Sequence, residues 1–230
     1  MTAYHGGQGE EYAQHVTDNL YNAYTDRPAM LGLAGDVTGL RVLDLGCGAG
    51  HYAAEFLDRG AAEVVGVEAS ESLLRHARDR VGDRATLYQH DLEEPLEFLA
   101  DGAFDLAVMA LVYHHVTRRA ELLAEVRRVL RPGGALLVST THPVAEWNPD
   151  DRPYFSNELV TVRPKSSRHS ITFWHLTLER FIGELLDAGF TLTKLVEPRA
   201  VEEAKSIDPI RHAKTQRTPI FLAVRLVRGE

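Results

Sequence analysis

The chain has 230 residues, of which 44% are hydrophobic, and carries a formal net charge of −8. This length and composition predict one globular domain with one sizeable core and exclude a disordered protein. The acidic balance disfavours a nucleic-acid partner, and short apolar runs with a polar start give no sign of a membrane span or signal peptide. Cys47 is the only cysteine, which excludes an intrachain disulfide and favours a reducing, cytoplasmic setting.

Strand and helix patterns alternate along the first 141 residues. Helices are predicted at 10–24, 28–34, 70–82 and 118–130. A further helix is predicted to begin at about His51, directly after the glycine-rich loop. The strand candidates are 41–45, 63–68, 85–89, 104–110 and 135–140. Strands that alternate with helices indicate a parallel sheet covered on both faces.

The pattern changes after residue 141. Residues 142–175 hold four prolines and both tryptophans and show no clear helical period, so we predict an irregular insert there. One helix at 177–188 and two strands at 191–197 and 219–228, separated by a polar loop, complete the chain.

A carboxylate stands beside the glycine-rich loop in RVLDLGCGAGHYAAEF, residues 41–56. The G-x-G-x-G spacing is neither the dinucleotide fingerprint nor the phosphate loop. Gly46 and Gly48 permit a tight turn and close approach of a ligand. A phosphate beside Asp44 would be repelled, whereas a ligand with a sulfonium and an ammonium group would be attracted. S-adenosylmethionine (SAM) carries both cations and no phosphate.

Three further positions fit a nucleoside that lies along the carboxyl ends of the strands. Glu68 ends the second predicted strand, where an acid can accept hydrogen bonds from both ribose hydroxyls. Asp91 follows the third strand, within reach of an adenine amino group. Met109 and the residues up to Val112 follow the fourth strand and would lie beneath the methionine moiety.

Successive segments resemble the motifs of class I SAM-dependent methyltransferases, in particular the ubiquinone/menaquinone-methyltransferase-like branch that acts on small molecules. They lie within residues 38–141 and read VLDLGCGAGHYA, VVGVEASESLLRHAR, HDLEEPL, DGAFDLAVMALVYHHV and LLAEVRRVLRPGGALLVST. The resemblance implies an α/β, Rossmann-like fold: a seven-stranded, mostly parallel sheet with helices on both faces and an antiparallel last strand. It also implies that SAM binds at the residues named above, with S-adenosylhomocysteine as the product.

Four residues near these motifs qualify the cofactor prediction. Ala69 stands where relatives often carry a larger residue that packs on adenine, so Ser70 or Leu92 is expected to supply that contact. Cys47 belongs to the cofactor loop as a small residue. Its thiolate is disfavoured beside Asp44, which argues against a nucleophile.

Two lids are expected around a core at 38–141. The N-terminal segment, 1–37, is predicted to be helical, and the resemblance implies that Tyr24 closes over the methionine end of SAM. The insert, 142–175, is predicted to cover the acceptor through Trp147, Tyr154 and Trp174, although these aromatic residues would equally suit a small core of its own. Residues 176–230 supply the last helix and strand pair.

Histidines near the strand ends are candidate bases for an oxygen acceptor. His114 and His115 follow the fourth strand, and His142 ends the fifth, although structural hydrogen bonds would also account for them. No histidine pair has the helical spacing of a zinc site, so we predict no metal.

The predicted function is methyl transfer from SAM to an O, N or C atom of a small molecule. Two alternatives stay open, a non-catalytic SAM-binding sensor or partner protein and an NAD-dependent dehydrogenase. The carboxylate in the loop and the glycine spacing disfavour the dehydrogenase. The acceptor's identity, and whether the protein is a monomer or a homodimer, do not follow from the sequence.

Overall fold

A computed structural model describes residues 7–145, 153–163 and 170–229. The helices are α1 Gly7–Val16, α2 Arg27–Ala34, α3 His51–Asp58, α4 Glu71–Val81, α5 Arg119–Val129, α6 Leu178–Asp187, α7 Ala204–Ile207 and α8 Pro209–Thr215. The strands are β1 Arg41–Leu45, β2 Glu63–Glu68, β3 Thr86–Gln89, β4 Phe104–Ala110, β5 Leu130–Thr141, β6 Leu159–Val162, β7 Ile171–Trp174, β8 Phe190–Val196 and β9 Phe221–Arg228.

Seven strands form one sheet in the order β3-β2-β1-β4-β5-β9-β8. β9 runs antiparallel to β5 and β8, whereas the pairs from β3 to β5 are parallel. This confirms the predicted Rossmann-like sheet with its antiparallel last strand. The chain leaves β1 toward β2 and later returns on the other side as β4, so the carboxyl ends of β1 and β4 border a topological switch point, where ligands of such sheets bind.

Alternate residues of the central strands enter two cores, one on each face of the sheet. Leu43 and Leu45 pack with Phe181 of α6, whereas Val42 packs with Met30 of α2 and Phe56 of α3. The two-residue period of a strand produces this division. Asp44 shares the parity of Val42 and therefore belongs to the α3 side.

The N-terminal helix is shorter than predicted. The helix expected over 10–24 stops at Val16, and a new helical segment begins at residue 20. Asn19 marks this restart, because its Oδ1 accepts a hydrogen bond from the N–H of Asn22 at 2.9 Å. A π-turn, Asn22–Asp26, then leads into α2. Pro28 has no N–H to offer the Tyr24 carbonyl, which accepts from the Val201 N–H at 2.9 Å instead.

Two segments predicted to be irregular contain regular structure. The insert includes β6 and β7, an antiparallel pair in which Leu159 lies opposite Trp174. The polar loop before β9 contains α7 and α8. Asp208 caps α8 by accepting a hydrogen bond from the Arg211 N–H at 2.9 Å, and Pro209 occupies a first-turn position. Across the described ranges, no helix combines the length and apolar character needed to cross a membrane.

Candidate active site

The loop between β1 and α3 forms an open ledge at the carboxyl end of the sheet. Gly46 has a φ of +71°, and a Cβ there would lie 2.5 Å from Val112 Cγ2, so a side chain is excluded. Gly48 has a φ of +54°, and nothing lies within 4 Å of the position its Cβ would take. A ligand can therefore approach the backbone closely at Gly48.

Glu68 joins this loop to the end of β2. The residue is 5% exposed; its Oε2 accepts from the Gly48 N–H at 3.0 Å and its Oε1 from the Ser70 N–H at 2.8 Å. A carboxylate has about four acceptor positions, so bonds to backbone N–H groups and to ligand hydroxyls are compatible on one such group. The carboxylate therefore fixes the ledge and can still contribute to binding.

Asp44 lies beneath the loop and is 1% exposed. Burial, reinforced by the charge of Glu68, raises the Asp44 pKa to about 7, against the effect of a hydrogen bond from the Ala53 backbone. Within the described part of the chain, its Oδ2 has no hydrogen-bond partner. A buried carboxylate with an unsatisfied oxygen fits a cationic ligand, because a positive charge would offset its desolvation.

A cleft of about 710 Å³, counting its open mouth, extends from the ledge across the switch point. Glu68 and the glycine loop form one side, and Ala110, Leu111 and Val112 after β4 form another. Leu111 has a φ of +58°, a conformation that costs energy for a residue with a side chain. Its N–H donates to the carbonyl and the hydroxyl of Ser139, both at 3.1 Å, which holds the backbone in place.

The start of α2 and the start of α3 add polar groups that sequence analysis missed. Asp26 and Tyr52 both line the cleft, and the Tyr52 hydroxyl donates to Asp26 Oδ2 at 2.6 Å. Asp26 is 2% exposed, and this burial raises its pKa to about 6. No motif pairs these positions in the sequence, because only the fold brings the N-terminal segment onto α3.

Three predicted cofactor contacts lie in packed regions. Tyr24 packs against a cluster of Leu20, Ala200 and Ala204, whereas Asn22, Asp26 and Arg27 of the same segment face the cleft. Met109 and Leu92 are buried in the main core. These positions argue against direct contact of the three side chains with a ligand, because α7 covers Tyr24 and the sheet core encloses the others.

The remaining cofactor candidates keep positions near the strand ends. Asp91 Oδ1 accepts from the Glu93 N–H at 3.1 Å in a turn after β3. Ala69 is partly exposed beside Glu68, and Ser70 is fully buried as the cap of α4. Cys47 lines the cleft, and burial raises the pKa of its thiol well above the usual value, so the thiolate is disfavoured as predicted.

His114 and His115 lie side by side with ring centroids 4.3 Å apart. His115 lines the cleft, and its Nδ1 donates to the Thr172 carbonyl at 3.0 Å, which places the lone pair of the neutral ring on Nε2. Burial lowers the pKa of His115 to about 4 and that of His114 well below its usual value. Both rings are therefore neutral at pH 7, and His114 Nδ1 is bonded to the Thr140 hydroxyl at 2.9 Å.

His142 is held by hydrogen bonds at both ring nitrogens. Its Nδ1 accepts from the Val144 N–H at 3.3 Å, so Nε2 carries the hydrogen that points to Glu197 Oε1, 3.1 Å away. Burial lowers its pKa, although Glu197 acts in the opposite direction. This arrangement favours a structural role over that of a base.

A second cavity lies beneath hairpin β6–β7. It is lined by the end of β5, by the loop with His142, by Tyr154 and by Phe173 and Trp174 of the hairpin. His114 connects this cavity to the cleft, since its Nδ1 is bonded to Thr140 of the cavity wall and its ring lies 4.3 Å from that of His115, which lines the cleft. Two of the predicted acceptor-site residues, Tyr154 and Trp174, thus meet in one cavity, while Trp147 lies outside the described residues.

Metal-ligand clusters of three or more His, Cys, Asp or Glu side chains are absent from residues 7–145, 153–163 and 170–229. The absence of a metal from the reaction itself stays a prediction. The described site offers buried carboxylates, backbone amides and neutral imidazoles.

Comparison with known proteins agrees with this geometry. A family model described as a methyltransferase domain matches residues 43–138. An uncharacterized methyltransferase of Synechocystis sp. is 34% identical over 159 residues, which cover 68% of this chain and 69% of that protein. A ubiquinone/menaquinone biosynthesis C-methyltransferase of Paraburkholderia phymatum is 35% identical over 120 residues, which cover 50% of this chain and 48% of that protein.

A solved structure shares the fold. The crystal structure of a SAM-dependent methyltransferase from Listeria monocytogenes superposes with a TM-score of 0.74 and 24% identity, over 89% of this chain and 97% of that one. The segment that matches the family model, residues 43–138, includes the glycine loop, Glu68 and the ends of the strands that build the cleft. The chain belongs to the class I SAM-dependent methyltransferases.

Proposed function

We propose that this methyltransferase acts on an O, N or C atom of a small molecule that binds beneath hairpin β6–β7. The observation that carries the proposal is the second cavity, which is walled by the aromatic side chains Tyr154, Phe173 and Trp174. The adjacent rings of His114 and His115 connect its wall at Thr140 to the cofactor cleft. Aromatic walls with a few polar groups are typical of sites for small organic ligands. A roof over the acceptor would also exclude water from the reacting atoms.

The cofactor is proposed to lie in the cleft with its ribose on Glu68 and its cationic part above Asp44. Gly46, Cys47 and Gly48 form the ledge beneath it, and Ala69 and Asp91 lie on the adenine side. SAM supplies an electrophilic methyl group whose departure leaves a neutral thioether. The protein's task is therefore mainly to align the donor with the acceptor.

His115 is the proposed proton acceptor where the acceptor atom is a hydroxyl. It lines the cleft, bonds the hairpin through Thr172 and keeps its lone pair on Nε2. An acceptor that arrives already deprotonated requires only positioning. The same site thus suits O, N and C acceptors.

Two independent facts support a small acceptor over a macromolecule. The chain's net charge of −8 would repel nucleic acids. The Paraburkholderia relative is a C-methyltransferase of ubiquinone and menaquinone biosynthesis, although the match covers about half of each chain.

Transfer of labelled methyl groups tests the proposal. The enzyme is incubated with methyl-labelled SAM and a cell extract divided into small molecules, RNA and protein. We expect label in the small-molecule fraction, and none there with the Asp44→Asn variant. Label confined to RNA or protein would overturn the proposal.

A further inference from the structure

The segment that leads from β4 into α5, residues 113–119, contacts hairpin β6–β7 at two points. His115, the proposed proton acceptor, donates from its Nδ1 to the Thr172 carbonyl of the hairpin. Arg119, at the start of α5, presents its guanidinium to the ring of Trp174, 5.4 Å from the ring centroid. The base and the roof proposed for the acceptor site are therefore attached to the same short segment.

Glu184 of α6 holds this segment with a full set of hydrogen bonds. Its Oε2 accepts from the Tyr113 hydroxyl and from Arg119 Nε, both at 2.7 Å. Its Oε1 accepts from Arg119 Nη2 at 3.0 Å and from Arg180 Nε at 2.8 Å. A carboxylate has about four acceptor positions, and these bonds use all of them, so the orientation of Glu184 is fixed.

Arg119 is fixed at its edges and offers its faces to aromatic rings. It is 5% exposed, and besides the forked pair with Glu184 its Nη1 donates to the Val116 carbonyl at 2.9 Å. The ring centroids of Tyr113 and Trp174 lie 5.8 Å and 5.4 Å from its Cζ. A lysine at this position would keep the charge but lose both the fork and the planar face.

The ion pair is charged at neutral pH. Burial raises the pKa of Glu184, but the hydrogen bonds from Arg119, Arg180 and Tyr113 outweigh that effect and lower the pKa to about 2. A buried ion pair adds little net stability, because the cost of desolvating two charges offsets most of their attraction. The pair is therefore better explained by the geometry that it imposes than by the stability that it adds.

We propose that Glu184 and Arg119 are positioning residues for methyl transfer, which set hairpin β6–β7 and His115 against the acceptor cavity. Glu184 orients Arg119, and Arg119 holds Trp174, which lines that cavity. Both act through other side chains, because neither is part of the described lining of the cavity or of the cleft. The inference rests on the acceptor site proposed beneath the hairpin.

Hydrogen exchange measured by mass spectrometry tests the attachment without an acceptor. In the ligand-free protein, Arg119→Lys is expected to speed exchange of the β6 and β7 amides about tenfold or more. The amides of β5 and β9 in the main sheet are expected to stay within about twofold of their original rates. Arg128→Lys is the matched control, because it makes the same change on α5 in a forked pair with Glu125, and it should alter neither region.

Turnover separates positioning from a general loss of folding. The assay uses methyl-labelled SAM and the small-molecule fraction of a cell extract. Arg119→Lys is expected to raise the amount of that fraction needed for half-maximal turnover about fivefold or more, with S-adenosylhomocysteine affinity within about twofold by calorimetry. In a Trp174→Ala background, Arg119→Lys is expected to have little further effect, since both changes release the same hairpin.

Glu184→Gln and Tyr113→Phe are independent variants of similar size, expected to act in the same direction as Arg119→Lys. Hairpin exchange that matches the Arg128→Lys control in all three variants would overturn the inference, as would faster exchange with unchanged turnover. Faster exchange of hairpin and main sheet alike, with weaker S-adenosylhomocysteine binding, would make the pair a staple of the core and also overturn it. Unchanged turnover in Trp174→Ala alone would show that the acceptor does not bind beneath the hairpin, and would overturn the proposed function together with this role.

Discussion

At the scale of single residues, three buried carboxylates in and beneath the cleft differ in how many hydrogen bonds they accept. Glu68 accepts two backbone N–H bonds, and Asp26 accepts one short bond from Tyr52. Asp44 keeps one oxygen without a partner among the described residues. Burying such groups costs free energy in the ligand-free protein, and a cationic ligand recovers part of that cost.

Replacing Glu68 by Gln tests its place in cofactor binding. Loss of a charged acceptor should weaken SAM by about 1.5–3 kcal/mol, as is typical of charge-assisted hydrogen bonds. Glu63→Gln is a suitable control, because it changes the same strand at an exposed ion pair with Arg41. Calorimetry that finds equal SAM affinity in folded Glu68→Gln and Glu63→Gln proteins would contradict the ribose assignment.

The two candidate bases are expected to differ once an acceptor is known. His115→Ala should lower the single-turnover rate for a hydroxyl acceptor about 10²-fold and remove an ionisation near pH 4. The sign follows from its lowered pKa, since the base is neutral and active above that value. His142→Ala should keep a near-native rate, because both ring nitrogens of His142 already have partners. Near-native rates and unchanged pH profiles in both variants would indicate that neither histidine is a base and that the enzyme acts by positioning the acceptor.

Sequence analysis predicted some of the buried carboxylates at the cleft and missed others for a physical reason. Asp44 and Glu68 stand at the ends of strands within contiguous motifs, so their proposed roles follow from local order. Asp26 and Tyr52 meet only because α2 packs beside α3, and no local pattern encodes that contact. Tyr24 is a residue that local pattern placed at the cofactor but that the fold covers. Its spacing from Tyr21 predicted a shared helix face, and no local pattern predicted that α7 would pack on it.

At the scale of elements, the predicted helices and strands were accurate where the hydrophobic period was clear and the ends were distinct. The helices at 70–82 and 118–130 and the strands at 41–45, 63–68 and 104–110 match the structure closely, because each has a clear hydrophobic period and distinct ends. β6 and β7 are only four residues each, too short for alternation to stand out. Short elements such as these are therefore the ones that the sequence analysis missed.

Trp174 is one of the residues that attach hairpin β6–β7 to the core. Trp174 Nε1 donates to the Thr117 hydroxyl at 3.4 Å, and the Arg119 guanidinium lies 5.4 Å from the ring. If the hairpin covers the acceptor, Trp174→Ala should reduce turnover about tenfold or more and leave SAM affinity nearly unchanged. Phe155→Ala is the control, because that ring is 79% exposed.

The result for Trp174 separates a lid from a plain core. Parallel loss of turnover and of SAM affinity, with a lower melting temperature, would favour the core interpretation. Selective loss of turnover would favour the lid. Steady-state kinetics, calorimetry and thermal unfolding on the same preparations give all three readings.

At the scale of the whole molecule, the site affects global stability through its titratable groups. Asp44 has a pKa of about 7 in the folded protein against an ordinary value of 3.8, so its protonated form favours folding. That contribution is complete below pH 4 and is lost as the pH rises through 7. His115 has the opposite effect on stability, because its pKa of about 4 in the folded protein lies below the ordinary value of 6.5. Its contribution is complete above pH 6.5 and is lost as the pH falls through 4.

Comparing the ligand-free protein with its Asp44→Asn variant isolates the contribution of Asp44, because the histidines and Asp26 are common to both. We expect the variant to gain about 2–4 kcal/mol in free energy of unfolding relative to the unmodified protein between pH 4 and pH 8. Urea denaturation at intervals of one pH unit measures this difference. Saturating SAM should reverse the ranking at pH 8, since a bound cation favours ionised Asp44 and stabilises only the protein that retains it. A difference between the two proteins that stays constant with pH, or a variant stabilised equally by SAM, would show that Asp44 does not act through its charge.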